Sequence, residues 1–238
     1  MATALASGLN ERFELEFVAR NPNKLTTLEA TFNAPIYPLE GFDISDKNLI
    51  LAVKPYALKS VGKMLQGQAN TLYSLLAGTT LKSLKEHIPS QYTIRTMPNV
   101  AAKFGASTTV ITGDSDRKDD AMKIFATIGD TFWVEQEKEI DIATAIAGSG
   151  PALLTLVAEA MMDGLVKEGM KRNDAIAITN SLFKGFAPLI ASDHPALIKD
   201  AIMSPAGTTA AAYGALEAGA VRSAFIQAVT EAYKVTQR

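Results

Sequence analysis

The stretch Leu49-Ile50-Leu51-Ala52-Val53-Lys54-Pro55 decides how the chain is read. Five apolar residues run without interruption and stop at Lys54-Pro55. A run so short and so apolar suits a strand covered on both faces. Pro55 disfavours helical geometry at Lys54, so the chain leaves the strand in an open, extended turn. Leu15–Ala19, Leu72–Ala77 and Tyr92–Thr96 have the same texture. Helical segments alternate with them over Pro22–Thr31, Ala57–Leu65 and Leu81–His87, the first opened by Asn21 as N-cap and Pro22 at N1. Met1–Leu9 reads as another helix. The alternation predicts a parallel sheet with helices on both sides. Val110–Gly113 and Thr131–Val134 would add edge strands around a helix Asp116–Thr127.

From Ile140 onward the β texture ends and Ala and Met dominate. Gly148-Ser149-Gly150-Pro151 breaks one helix and starts the next. Over Ala152–Lys167 the polar residues Thr155, Glu159, Asp163 and Lys167 recur every four positions, and nearly everything else is apolar. So narrow a polar stripe predicts burial almost all round, and in so small a domain a second subunit must supply part of the cover. Gly169 ends that helix, Asn173 caps the next to about Ser192, and Pro195 opens another to Met203. Thr209–Gly219 and Ala220–Thr236 complete the helical half. The expected organisation is α/β: a Rossmann-like doubly wound sheet over 1–137, then an all-helical domain over 138–238.

Composition removes several classes of function. With 47% hydrophobic and 20% charged residues in 238, the chain can bury a core, and its net charge of -2 points to neither nucleic acid nor an acidic membrane surface. The longest apolar runs are too short for membrane spans. The absence of cysteine excludes a disulfide framework, a Cys-ligated zinc and a thiol nucleophile, and suits the cytoplasm. With only His87 and His194, a His-rich metal centre is not expected, while a carboxylate site for a hard cation stays open. His87 reads as a cation near a helix C-terminus, His194 as a loop residue, Trp133 as packing, and Glu159 with Asp163 as a polar stripe. Met1–Leu9 lacks the basic n-region of a signal peptide.

In doubly wound sheets ligands bind beyond the carboxyl ends of the strands, so the strand exits are the candidate sites. Arg20-Asn21 follows Leu15–Ala19, where an Arg accommodates a ribose 2′-phosphate; an ordinary surface Arg reads equally well. Ala52, Val53, Lys54 and Pro55 form the second exit, with a solvated Lys54 as the plain alternative. Ala77-Gly78 and Met97-Pro98-Asn99 form the third and fourth. Small residues and a rigid Pro there would let a flat nicotinamide approach the main chain; helix capping by Thr79, Thr80 or Asn99 is the plain reading. The last candidate is Ser204-Pro205-Ala206-Gly207-Thr208-Thr209. A loop like this, with the Thr pair capping a new helix, presents N–H groups and hydroxyls that could seat a small carboxylate, or it is simply a connection between helices.

Taken in order, these pieces resemble the pyrroline-5-carboxylate reductases, which make proline. The resemblance is carried by Ala52-Val53-Lys54-Pro55, Ala77-Gly78-Thr79, Arg95-x-Met97-Pro98-Asn99, Gly148-Ser149-Gly150-Pro151-Ala152, His194-Pro195, Lys199-Asp200 and Ser204-Pro205-Ala206-Gly207-Thr208-Thr209. It implies hydride transfer from NADPH or NADH to the C=N carbon of 1-pyrroline-5-carboxylate. It also implies a cofactor site of Arg20, Asn21, Ala52, Val53, Lys54, Pro55, Ala77, Gly78, Met97 and Asn99. Ser204, Ala206, Gly207, Thr208 and Thr209 would hold the substrate, with Thr209 and Ser204 as the catalytic hydroxyls. It implies a homodimer interlocked through the helical domain, with an oligomer of dimers as an extension.

Three departures stand beside it. Met1-Ala2-Thr3-Ala4-Leu5-Ala6 already reads as the helix that follows the family's Gly-rich turn. The first strand and the phosphate-cradling glycines are therefore expected to be missing, through a start placed too late or through loss of about the first ten residues. Val100-Ala101 stands where the family has Thr-Pro, and Ala206 where it has Gly, which is expected to hold the loop to φ < 0. A truncated, inactive or cofactor-deficient dimeric ligand-binding form is the rival that the first departure supports. A β-hydroxyacid dehydrogenase relative would need a Lys on the helix after Gly150, and none occurs before Lys167.

Overall fold

A computed structural model of the protein describes residues 2–237. Met1, at the start of the expected first helix, lies outside them. The chain forms two compact units: Met1–Ser149 with Glu231–Arg238, and Gly150–Thr230.

The first unit is α/β. Helix α1 (Ala2–Leu9) leads to strand β1 (Phe17–Ala19), helix α2 (Pro22–Phe32) and strand β2 (Ile36–Pro38). Strand β3 (Asn48–Leu51), helix α3 (Leu58–Gly62), strand β4 (Ala69–Ser74), helix α4 (Leu81–His87) and strand β5 (Ser90–Met97) follow. Strand β6 (Ser107–Gly113), helix α5 (Lys118–Phe125), strand β7 (Gly129–Trp133) and helix α6 (Glu137–Ala147) complete the unit, together with the end of the last helix, described below. Strands β3 to β7 form one sheet in sequence order; β1 and β2 pair parallel in a second, two-stranded sheet.

The α/β class agrees with the sequence reading, but the sheet differs in two ways. It is mixed: β3, β4 and β5 are parallel, β6 is antiparallel to β5, and β7 is parallel to β6. The 98–106 connection holds only one 3-10 turn, Val100–Phe104, ending at Gly105 with φ +67°. That is too short for the crossover a parallel neighbour needs. The sheet is also split, since β1 pairs only with β2 and β3 only with β4 among the described residues. The break falls where a doubly wound order places its central strand. Helix α1 packs on both sides of the break. Leu5 and Leu9 join Tyr73, Ile94, Ile111 and Phe125, while Ala6 joins Phe32 and Ala34.

The second unit is helical: α7 (Gly150–Lys167), α8 (Arg172–Ser192), α9 (Pro195–Ile202), α10 (Thr208–Ala218) and the body of α11 (Val221–Thr236), whose last turns return to the first unit. Gly169, at φ +98°, turns the chain between α7 and α8. The cap of α8 is Lys171, not Asn173, and no side chain closes it. Within this unit the apolar helices are bare. No residue of α7 is buried, and α8 buries only Ala175 and Thr179. Leu156 and Leu182 are 65% and 54% exposed. By length and composition alone, Glu137–Lys167 and Arg172–Ser192 are also apolar enough to cross a membrane, which the count of apolar runs did not anticipate.

Candidate functional site

The strand exits come together because β3, β4 and β5 run the same way. Their carboxyl ends deliver Ala52–Pro55, Ala77-Gly78 and Met97–Asn99 to one edge. Strand β1 follows the same direction. Glu16, just before it, pairs with Lys47, just before β3, at 2.8 Å, and Val18 packs into the cluster that contains Leu51. Arg20 and Asn21 thus reach the same edge.

Each exit is shaped locally. The side chain of Asn21 accepts the N–H of Asn23 at 3.0 Å and caps α2, and Arg20 is exposed. Lys54 is extended at φ -77°, ψ 147°, as Pro55 requires, and is exposed. Among the described residues neither Arg20 nor Lys54 has an ion-pair partner, so two free cations face this edge. Gly78 sits at φ +63°, open only to glycine at little cost. A Cβ there would lie 3.2 Å from the carbonyl of Thr236 at the end of α11. Thr80 caps α4 by accepting the N–H of Ser83, and Asn99 caps the turn after β5 by accepting the N–H of Ala101. The capping readings of Thr80 and Asn99 therefore hold, alongside their place on the edge. A surface cavity of about 320 Å³ opens at the opposite edge, against Asn48, Asn70, Tyr73 and Arg117. The candidate residues do not line it.

Sequence reasoning missed the strongest electrostatic feature of the unit. Arg95 is 1% exposed, in the buried half of β5. Its Nη2 donates to Asp141 Oδ1 at 2.6 Å and its Nη1 to Glu137 Oε1 at 2.9 Å. Glu137 Oε1 also accepts the backbone N–H of Leu81 at 2.6 Å. The signal was present: a charge inside a run such as Tyr92–Thr96 must be paired if it is buried.

In the helical unit the Ser204–Thr209 loop links α9 to α10. The Gly207 N–H donates to the Ser204 carbonyl at 3.1 Å and closes a turn. Ala206 stands at φ +56°, so the expectation of φ < 0 is overturned: the turn demands left-handed geometry, and Ala206 adopts it despite its Cβ. The N-cap of α10 is Gly207, not a threonine, and no side chain caps it. A Cβ at Gly207 would overlap Ser204 Oγ. Thr208 and Thr209 are the first helical residues, and the N–H groups of the first turn have no intrahelical partner. Nearby, a hydrogen bond from Lys199 to Asp200 raises the ammonium above its usual pKa, and one from Arg222 lowers the Glu217 carboxyl below its own. Lys199 also lies 5.7 Å from the Tyr213 ring centroid, so these exposed contacts link α9, α10 and α11.

The remaining conspicuous residues have structural partners. His194 is the N-cap of α9, its Nδ1 accepting the N–H of Ala196 at 3.2 Å, rather than a plain loop residue. His87 Nδ1 lies 2.8 Å from the Ser83 carbonyl, Asp163 pairs with Arg172 at 2.7 Å, and Trp133 packs against the α1 cluster. Among the described residues no group of His, Asp and Glu is placed to hold a metal ion.

An α/β unit whose strand exits share one edge, followed by a helical unit, is the plan of a dinucleotide-dependent oxidoreductase. Residues 137–238 match the family model described as pyrroline-5-carboxylate reductase dimerisation. The pyrroline-5-carboxylate reductase of Helicobacter pylori is 35% identical over 98% of this chain and 94% of its own. The crystal structure of the Streptococcus pyogenes enzyme superposes with a TM-score of 0.87 at 26% identity, over all of this chain and 94% of that one. The Plasmodium falciparum enzyme, solved with NADP bound, gives 0.81 at 25% identity, over all of this chain and 94% of that one. The chain belongs to the pyrroline-5-carboxylate reductase family.

Proposed function

We propose that the protein reduces 1-pyrroline-5-carboxylate to proline with NADPH or NADH. The observation that carries the reading is the start of α10, where Gly207 leaves the first N–H groups uncapped beside the Thr208 and Thr209 hydroxyls. A helix N-terminus of this kind favours a small carboxylate without needing a buried Arg. The residues present suit both ends of a dinucleotide. Arg20 and Asn21 would hold the adenosine ribose, and Ala52, Val53, Lys54, Pro55, Ala77, Gly78, Met97 and Asn99 the ribose and nicotinamide. The free charges of Arg20 and Lys54 match the phosphates. The Gly-rich turn that cradles a pyrophosphate is not among the described residues.

When bound, the cofactor supplies a hydride to the C=N carbon. This chain's own part is orientation. Gly207, Thr208 and Thr209 would hold the carboxylate, and the Thr209 hydroxyl, with Ser204 beside it, would position the proton on the ring nitrogen. The bare faces of α7 and α8 would be covered by a second copy rather than by lipid, making a homodimer and permitting an oligomer of dimers. In this reading 1–137 binds the dinucleotide, 138–238 binds substrate and dimerises, and the enzyme works in the cytoplasm without nucleic acid. The test is NADPH oxidation on adding 1-pyrroline-5-carboxylate, followed by identification of proline. NADPH binding without proline formation would refute the substrate. Neither binding nor turnover would favour a ligand-binding dimer.

A further inference from the structure

Arg95 is the one charged residue buried in the core among the described residues, and the proposed mechanism does not use it. An apolar side chain in its place would carry no desolvation cost. Its partners show what it connects. Arg95 lies opposite Ser74, the last residue of β4, in the sheet register. The two exits, Ala77–Thr80 after β4 and Met97–Asn99 after β5, therefore leave the sheet close to the same rung. Through Nη1 it holds Glu137 Oε1, and that same oxygen accepts the N–H of Leu81, the first residue of α4. Asp141, one turn further along α6, fixes the other arm of the guanidinium. Glu137 is a flexible side chain, one-third exposed. Without the fork it has several rotamers to choose from, and with it one oxygen is aimed at Leu81.

The geometry points to Arg95 as a positioning residue that, through Glu137, sets the Ala77–Thr80 turn relative to the Met97–Asn99 turn. It touches neither substrate nor cofactor. The inference rests on the reading above, in which both turns line the nicotinamide half of the dinucleotide.

The test uses the full chain and four variants: Arg95→Met, Arg95→Lys, Glu137→Ala and Glu137→Gln. Amide hydrogen exchange over Gly78–Leu81 is measured without cofactor, and the NADPH dissociation constant by fluorescence. Arg95→Met and Glu137→Ala are expected to speed exchange at Leu81 and weaken NADPH binding, each by about tenfold, the scale of one charge-assisted hydrogen bond. Glu137→Gln keeps an oxygen for Leu81 and should stay within about threefold on both readouts. Arg95→Lys, with one donor head for two carboxylates, should fall between. The KM for 1-pyrroline-5-carboxylate should not move. A lower melting temperature with wild-type exchange at Gly78–Leu81 and wild-type NADPH affinity would overturn the proposal, leaving Arg95 as a tie between α6 and the sheet. If Arg95→Met does not fold, the two Glu137 variants decide by the same readouts. If the wild type binds no NADPH, the cofactor reading fails, and the exchange data still decide whether Arg95 sets the turn.

Discussion

Replacing Ala206 by Gly should stabilise the protein, although Gly for Ala normally does the reverse. Ala206 is held at φ +56° in an exposed turn closed by the Gly207-to-Ser204 hydrogen bond. Left-handed geometry costs an L-residue about 1–2 kcal/mol, and glycine avoids it. Against this, glycine loses more freedom on folding, about 0.5–1 kcal/mol. The balance is a gain of roughly 0.5–1 kcal/mol, which for a chain of this size raises the melting temperature by about 1–4 °C. The assay is thermal unfolding at fixed protomer concentration, because dimer formation makes the midpoint concentration-dependent. Ala206→Val is the control: a β-branched residue at positive φ should lower the midpoint. The N–H groups of Gly207–Thr209 keep their direction in Ala206→Gly, so KM for 1-pyrroline-5-carboxylate should change by less than about twofold. A fall in melting temperature for Ala206→Gly would show that the turn imposes no left-handed strain, and the reasoning would fail.

Three further outcomes are expected. Thr209→Val should lower kcat for NADPH oxidation while leaving NADPH affinity unchanged; equal loss of both would make Thr209 structural. Arg20→Ala should remove any preference for NADPH over NADH, read as the ratio of their kcat/KM values, and an unchanged ratio would refute its phosphate role. Leu182→Glu places a charge on a bare apolar face of α8; light scattering should show the dimer mass fall to the monomer mass without detergent, whereas a persistent dimer would locate the interface elsewhere.

Much of the fold was legible because local signals and tertiary demands agree. Leu49–Val53 and Leu72–Ala77 are apolar enough to be strands wherever they are placed, Tyr92–Thr96 is rich in β-branched and aromatic residues, and each overlaps a strand, within a few residues. The narrow polar stripe of α7 announced that something outside the protomer must cover it. The parts that escaped depend on partners distant in sequence. Strand β2 is three residues ending in a proline, too short to carry a period, and exists because β1 offers it an edge. The reversal at β6 follows from a connection, residues 98–106, too short to cross over.

The candidate site divides the same way. Its exits were legible because a strand end is a local event, whereas the cap of α10 was misplaced because the Thr pair outranks Gly207 on propensity alone. The structure puts Gly207 at the cap. A Cβ there would push Ser204 Oγ aside, and a residue without a capping side chain leaves the first turn of α10 open. Had Thr208 been the cap, its hydroxyl would have consumed one of the donors that the proposed carboxylate needs. The misplaced cap and the proposed seat are therefore linked: the helix start is suited to an anion because the better capping residues sit one and two positions too late to cap it.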